Sequence, residues 1–366
     1  MTAVRRLSLR DLRSYERAEI GLGDHLTVIY GSNGAGKTNL LEALYLACTG
    51  RSCRTANDRE LVRFGAAAAR VELVLELDGD EHHIGVGIAP GQPKRLTVDG
   101  SSVERLSDVP LRPLVAVFLP DRLELVKGAP AVRRAHLDQL VAALWPGRVM
   151  ARRAYASALA QRNALLGRLR AGRGSDGLAA WDLELGRHAL KLRDDRRSAV
   201  ERVAPLMAQA AEELGLVGTV ELRYRPRSEA VSAEAFAAEL TERLSSDLER
   251  GFTGHGPHRD ELLLMRDGRE LRVYGSQGEQ RLALLALLLG ERDALAAERR
   301  HPPLLLLDDV MSELDADRRR LLVDRVGRAG QVVITTTDLA HVPGTAATGT
   351  VILEVAAGSV HEQVAA

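Results

Sequence analysis

Two cysteines in 366 residues, Cys48 and Cys53, leave no disulfide framework to staple the fold. Aromatic residues make up only 3 % of the chain, which speaks against single-strand recognition by rows of stacked bases. Charge of either sign is not in excess: 50 lysines and arginines face 50 aspartates and glutamates. No global field therefore draws in a polyanion, and any nucleic-acid contact must come from a local patch. No apolar run approaches the length of a membrane span. The opening stretch, MTAVRRLSLRDLRSYER, is too charged for a signal peptide. These absences point to a reducing, cytoplasmic setting. What the chain does have is 45 % hydrophobic residues, enough for a core, in a length that suits one large or two ordinary domains. Heavy use of alanine, arginine, leucine and glycine is a compositional bias, so arginine richness alone proves little.

Gly31-Ser32-Asn33-Gly34-Ala35-Gly36-Lys37-Thr38 fits G-x-x-x-x-G-K-[ST] at every fixed position. HLTVIY (25–30) before it reads as a short buried strand. Leu40, Leu41, Leu44 and Ala47 recur after it at helical spacing. Strand, glycine loop and helix is the context the motif requires. Glycines let the backbone wrap a phosphate chain with its N–H groups turned inward. The helix N-terminus adds partial positive charge. Lys37 is placed to reach the β- and γ-phosphates of ATP, and the Thr38 hydroxyl to ligate Mg²⁺.

Residues 1–120 read mainly as strands around the P-loop helix: VRRLSLRDLRSY, VELVLELDG, HHIGVGI, KRLTVDG and LVAVFLP. From 121 the pattern turns helical, with a glycine-rich break, AGRGSDG, that suits the tip of a helical hairpin. ELRYRPRSE reads as a short strand and AEAFAAELTERLSSDLERGF as one helix. Strands return after Gly254, where DELLLMRDG and RELRVYG read as a hairpin. A helix, the strand LLLLDDV, another helix and the strands QVVITTT and VILEV follow. The expected organisation is a split α/β nucleotide domain, 1–120 with 252–366, interrupted by an inserted helical lobe, 121–251.

Leu304–Leu307 is a continuous apolar run, as a buried parallel strand requires. Asp308 then sits at the strand's C-terminal edge, where open α/β sheets bind ligands, and is expected to hold Mg²⁺. Asp309 comes next, where a residue polarising the attacking water belongs; the plainer alternative is a strand-ending turn. Ser276 is placed to cap the apolar helix after SQGEQR, and its hydroxyl with the helix amides forms a second anion site. A second phosphate cradle is needed only if another subunit completes the site.

GSNGAGKT, SQGEQR, LLLLDDV and SELD (312–315) resemble the Walker A, signature, Walker B and D-loop of ABC-type ATPases. Within that class the chain is most similar to the RecF family of bacterial DNA replication and repair proteins. TGRSCRTANDRELVRFG (49–65), VKGAPAVRRAHLD (126–138) and GPHRDEL (256–262) carry that resemblance along almost the whole chain. It implies an ABC-type P-loop ATPase head with an inserted helical arm lobe. It also implies a Mg²⁺-dependent, switch-like ATPase that dimerises on ATP. Each nucleotide would lie between one P-loop and the partner's signature residues Ser276, Gly278, Glu279 and Gln280. Duplex DNA near single-strand gaps and the proteins RecO and RecR, in the loading of RecA, are the implied partners. The lid glutamine of ABC ATPases has no clear equivalent in LVAVFLPDR. Thr336, Thr337 and Asp338, with His341 beyond, stand where transporters place a histidine, which leaves the γ-phosphate sensor unassigned.

A soluble ATPase subunit of an ABC transporter is the rival reading. Asp309 where glutamate is usual, and SQGEQ in place of LSGGQ, argue against it. Another SMC-like repair ATPase would carry long heptad arrays, and often a CxxC hook, in place of an insertion of this size. For DNA, Arg148, Arg152 and Arg162 fall on one helical face, with Arg170 and Arg173, in a stretch of seven arginines without an acid. The plainer reading of that stripe is a packed arm face with snorkelling arginines. His255, His258 and Asp260 lack a completing ligand and read as a tight bend rather than a metal site.

Overall fold

Alternation of apolar and charged residues sets the first strands, and unbroken apolar runs set the buried ones. The computed structural model describes residues 2–174, 177–299, 301–328 and 330–363. It begins with β1 (Thr2–Leu12), β2 (Tyr15–Gly21) and β3 (Leu26–Tyr30), and the P-loop leads into α1 (Lys37–Thr49). Next come β4 (Ala69–Leu77), β5 (Asp80–Ile88), β6 (Arg95–Val98), β7 (Ser101–Val103) and β8 (Val115–Phe118). The helical stretch holds α2 (Glu124–Lys127), α3 (Pro130–Leu144), α4 (Val149–Arg170), α5 (Leu178–Glu213), α6 (Ala233–Glu242) and α7 (Leu244–Arg250). Within it lies β9 (Val220–Arg225), and β10 (Glu261–Arg266), β11 (Arg269–Glu270), α8 (Leu271–Tyr274) and α9 (Gln277–Arg299) follow it. The chain closes with β12 (Leu304–Leu307), α10 (Ala316–Val326), β13 (Val332–Thr336), β14 (Val351–Ala356) and β15 (Ser359–Gln363).

One compact unit comprises 1–122, 213–215 and 295–366; the other comprises 123–212 and 216–294. The first unit has two six-stranded sheets. One is antiparallel, in the order β2-β1-β4-β5-β6-β7. The other has the order β15-β14-β3-β13-β12-β8, with every pairing parallel except that of the edge strand β15. Helix α1 joins both sheets in one apolar cluster. Its Leu40, Leu44 and Leu46 share it with Leu7, Leu73 and Ile84 of the antiparallel sheet and Leu306 and Val333 of the parallel one. A fully buried leucine contributes roughly 1.5–3 kcal/mol, so the P-loop helix is anchored chiefly by its apolar side chains.

The parallel sheet decides where chemistry is placed. Strand β13 lies between β3, which feeds the P-loop, and β12, which feeds Asp308. Ladder pairs Thr336↔Tyr30 and Leu307↔Ile334 bring the three C-terminal ends level.

In the second unit β9, β10 and β11 form an antiparallel sheet, and Tyr155, Leu185, Leu192, Phe236 and Leu240 form a core among the helices. Three features differ from the sequence expectation. Residues 252–294, expected in the nucleotide domain, belong to this unit. The cause is that β10 pairs along its length with β9, from Glu261↔Arg225 to Arg266↔Val220. RELRVYG is not a full strand: after the short β11 the chain coils into α8. AEAFAAELTERLSSDLERGF breaks at Arg243 into α6 and α7. Helix α4 runs unbroken through Gly167. The hairpin tip expected at AGRGSDG includes Ser175 and Asp176, which lie outside the described residues.

Candidate nucleotide site

The loop Gly31–Gly36 depends on its glycines. Gly31, Gly34 and Gly36 have φ of 156°, 78° and 118°. A Cβ on Gly31 would stand 2.2 Å from the Val355 carbonyl oxygen, and one on Gly36 2.7 Å from the Tyr15 hydroxyl. Only glycine fits this close winding. Lys37 Nζ donates to the carbonyls of Gly31 (2.7 Å) and Ser32 (2.9 Å), which holds the ammonium over the loop. Burial lowers the Lys37 pKa, while the charges of Asp309 and Asp308 oppose that fall. Ser32, Asn33 and Gly34 are exposed, and Ala35 is buried.

Thr38 and Asp308, 270 positions apart, meet at the C-terminal edge of the parallel sheet. The Thr38 hydroxyl lies 2.9 Å from Asp308 Oδ2 and 3.1 Å from Oδ1. Thr335 Oγ1 donates to Asp308 Oδ1 at 2.6 Å and accepts from the Asp309 amide at 2.9 Å. Burial raises the Asp308 pKa. Hydrogen bonds from Thr335 and Thr38 pull it back, Asp309 adds to the rise and Arg54 opposes it. Asp309 adopts φ 48°, a left-handed conformation that aspartate tolerates better than most residues. Its Oδ1 is buried and has no hydrogen-bond partner among the described residues.

Sequence reasoning passed over two parts of this site. Thr335 is one; its signal was a fully buried threonine pair, Thr335 and Thr336, ending a strand that begins with valine and isoleucine. The other is Glu42, a fully buried carboxylate on the apolar helix α1. Arg13 binds it with two hydrogen bonds, at 2.8 and 2.9 Å, and Ser52 and Arg54 also donate to it. The loop after α1 is thereby tied to the P-loop helix. Cys48 lies on the same helix, where burial pushes its thiol up to about 12. Thr336, one of the γ-phosphate sensor candidates, spends its hydroxyl on the Asp338 carbonyl.

The signature turn belongs to the second unit. Ser276 and Glu279 form a reciprocal cap: Ser276 N donates to Glu279 Oε2 at 2.8 Å, and Glu279 N to Ser276 Oγ at 3.3 Å. Ser276 and Gly278 are exposed, as are Val273 and Tyr274 just before them. Gln280 requires a correction as a nucleotide contact. It is buried, and its amide donates to the carbonyls of Leu271 (2.8 Å) and Gly275 (3.0 Å). It shapes the signature turn from within.

Arg162 is also corrected as a DNA contact, in line with the packed-face reading of its stripe. Arg162 is fully buried; it donates to Asp182 at 2.6 Å and to Asp247 and Thr253 at 2.7 Å each, so it cannot meet DNA. Arg148 pairs with Asp195 and lies over the Trp145 ring, and Arg152 pairs with Asp138. The histidines of the GPHRD bend are structural. His255 pairs with Glu239, and His258 Nδ1 lies 2.6 Å from the Tyr155 hydroxyl. Asp260 is bonded by Arg196, Tyr224 and the Arg227 amide. No cluster of metal-ligating side chains occurs among the described residues, and no described helix is long and apolar enough to cross a membrane.

A profile of the RecF/RecN/SMC N-terminal domain matches residues 3–355. The DNA replication and repair protein RecF of Myxococcus xanthus is 39 % identical over 97 % of this chain and 96 % of its own. The chain belongs to the RecF family. RecF of an Anaeromyxobacter species is 40 % identical over 97 % of each chain. A solved RecF, described as RecF-ATP in the RecFOR pathway, superposes with a TM-score of 0.86 at 27 % identity, covering 99 % of this chain and 98 % of that one. An SMC head from Pyrococcus furiosus reaches 0.60 at 17 % identity over 99 % and 96 %, which shows the shared head fold alone. RecF membership removes the transporter-subunit reading that the P-loop and Walker B strand had left open.

Proposed function

We propose that this chain is an ATP-driven DNA-repair switch. It binds ATP with Mg²⁺ at Gly31–Thr38 and pairs with a second copy. It then engages duplex DNA near single-strand gaps and, with RecO and RecR, helps load RecA. The observation that carries this reading is the meeting of Thr38 and Asp308 within 2.9 Å, beside Lys37. A hydroxyl and a carboxylate side by side are the hard oxygen donors Mg²⁺ takes, and a phosphate-bound Mg²⁺ needs only one or two such groups. Bound there, the ion would neutralise charge on the terminal phosphates.

This chain's own groups do the rest. The loop amides and Lys37 orient the triphosphate. Asp309, with a buried oxygen that has no partner among the described residues, is placed to hold the attacking water. Its reach is one methylene shorter than glutamate's, which suits slow turnover. Exposed Ser276 and Gly278, flanked by exposed Tyr274 and Val273, offer a second phosphate contact to a partner's nucleotide. The match to a solved RecF-ATP structure supports the nucleotide, and the RecFOR context supports RecO and RecR.

The test is sedimentation with and without ATP and Mg²⁺, in the presence and absence of gapped duplex DNA. The wild type should associate only with ATP, and Lys37→Ala should not associate. ATP-dependent dimers of Lys37→Ala at wild-type levels would sink the assignment.

A further inference from the structure

Four arginines of the helical unit gather around one turn, where the nearby buried Asp247 is bound to other partners. Arg227, Arg250 and Arg259 line an open recess of about 460 Å³ together with Phe252 and Gly254. Arg170 ends α4 beside it: a Cβ on Gly251 would lie 2.9 Å from its Nη1. All four arginines are exposed, and none of their side chains makes an ion pair among the described residues. The nearby acids are already engaged. Asp247 accepts from Arg162 and from the Gly254 amide, and Asp260 accepts from Arg196, Tyr224 and the Arg227 amide. The positive charge of the recess is therefore not cancelled from its floor.

The recess is also built firmly. Thr253 donates through N and Oγ1 to Asn163 at 2.8 and 2.7 Å, and its Oγ1 accepts from buried Arg162. That network fixes the turn carrying Phe252. The Phe252 ring is 40 % exposed, with the Arg259 guanidinium 5.3 Å from its centroid.

We propose that this recess seats the phosphodiester backbone of a DNA strand, with Phe252 against a sugar or base. Planar guanidinium forks lining one concavity suit phosphate oxygens. An exposed ring at the rim adds the apolar contact that nucleic-acid sites use. A chain of zero net charge can hold a polyanion only through such a local patch. This rests on the DNA-binding reading above and assigns that binding to the recess lined by Arg227, Arg250 and Arg259, with Arg170 beside it, rather than to Arg148, Arg152 and Arg162.

The experiment measures binding of full-length protein with ATP and Mg²⁺ to a gapped duplex across a salt series. It compares the wild type, Arg227→Gln/Arg250→Gln/Arg259→Gln and Phe252→Ala, with polyglutamate as competitor. The triple variant should bind about 10- to 100-fold more weakly near 0.1 M salt, and its log–log salt slope should shrink by about 0.9 for each phosphate that is no longer neutralised. Phe252→Ala should weaken binding with the slope intact. Wild-type affinity and slope in a triple variant that melts normally would overturn the recess alone, whereas a wild type that binds no DNA overturns the function reading as well. Displacement of DNA by polyglutamate of equal charge would make the recess a site for acidic protein and overturn the proposal. Should the triple variant melt early, Arg250→Gln carries the test, with an expected fall in slope of about 0.9.

Discussion

Thr335 Oγ1 bridges the two acids of the Walker B strand: it donates to Asp308 Oδ1 at 2.6 Å and accepts from the Asp309 amide at 2.9 Å. The bridge exists because β13 lies between the strands that deliver the P-loop and the acids. One hydroxyl thus holds the proposed metal ligand and fixes the backbone of the proposed water-polarising residue. A hydrogen bond to a charged group contributes about 1.5–3 kcal/mol, so Thr335→Val should lower ATPase activity about 10- to 100-fold and raise the Mg²⁺ needed for half activity. Thr335→Ser should restore much of both. Wild-type turnover and Mg²⁺ dependence in Thr335→Val would reduce the bridge to packing.

Arg162 anchors the helical unit. Its side chain is fully buried between Asp182 and Asp247, whose own side chains are 7 % and 2 % exposed. Removing one partner of a buried ionic cluster costs about 3–5 kcal/mol, because the remaining charges stay buried and uncompensated. Arg162→Ala should therefore lower the unfolding free energy by that amount in denaturant titration. Neutralising Arg152, whose side chain is 62 % exposed and whose partner Asp138 keeps its bond to Arg196, by Arg152→Gln should cost about 1 kcal/mol or less. Equal effects from the two variants would contradict the burial argument.

The contrast between Lys37 and Arg162 shows what the sequence could carry. The P-loop is local: eight consecutive residues, one strand and one helix define it, so its geometry was legible. Asp308 was legible too, because a run of four leucines announces a buried strand and its end. Arg162 was misread because helical spacing places a residue on a face without saying what covers that face. The cover comes from Asp247 and Thr253, 85 and 91 positions later. Thr335 and Glu42 were missed for the same reason: each is defined by a partner on another element. Gln280 shares a hexapeptide with Ser276, yet Ser276 caps the helix from outside while Gln280, inside it, turns back to the carbonyls of Leu271 and Gly275.

His258 should make the helical unit acid-sensitive. Burial, with nearby Arg259, Arg134 and His255, holds its pKa down to about 4, against a bond to the Thr253 carbonyl that raises it. Its Nδ1 accepts from the Tyr155 hydroxyl and its Nε2 donates to Thr253 O, so the folded form holds neutral imidazole. The unfolded chain takes up the proton near pH 6.5 and the folded chain only near 4, so stability falls as pH drops through that window. The loss by about pH 5 should be about 2 kcal/mol, at 1.36 kcal/mol per pKa unit. Urea midpoints at neutral and mildly acidic pH should show a smaller acid loss for His258→Gln than for the wild type. Identical losses would show that other groups set the acid sensitivity.

The proposed dimer makes a prediction that a monomeric ATPase cannot satisfy. If Ser276 and Gly278 contact phosphate only across an interface, Ser276→Arg should still bind ATP at its own P-loop. It should fail to close, because the bulky cation occupies the partner's phosphate position. Lys37→Ala has the opposite defect, an intact signature and a P-loop without its cation. Mixing the two creates dimers in which one composite site combines an intact P-loop with an intact signature, while the other carries both lesions. ATP-dependent association or hydrolysis should then reappear in the mixture though neither variant alone shows it. Recovery should stay below about half of wild type, since three kinds of dimer form and closure uses both nucleotides. Loss of monomeric ATP binding by Ser276→Arg would place the signature in the same chain's site and refute the dimer. Normal association and hydrolysis by Ser276→Arg would leave Ser276 as nothing more than the helix cap that its bond with the Glu279 amide already makes it.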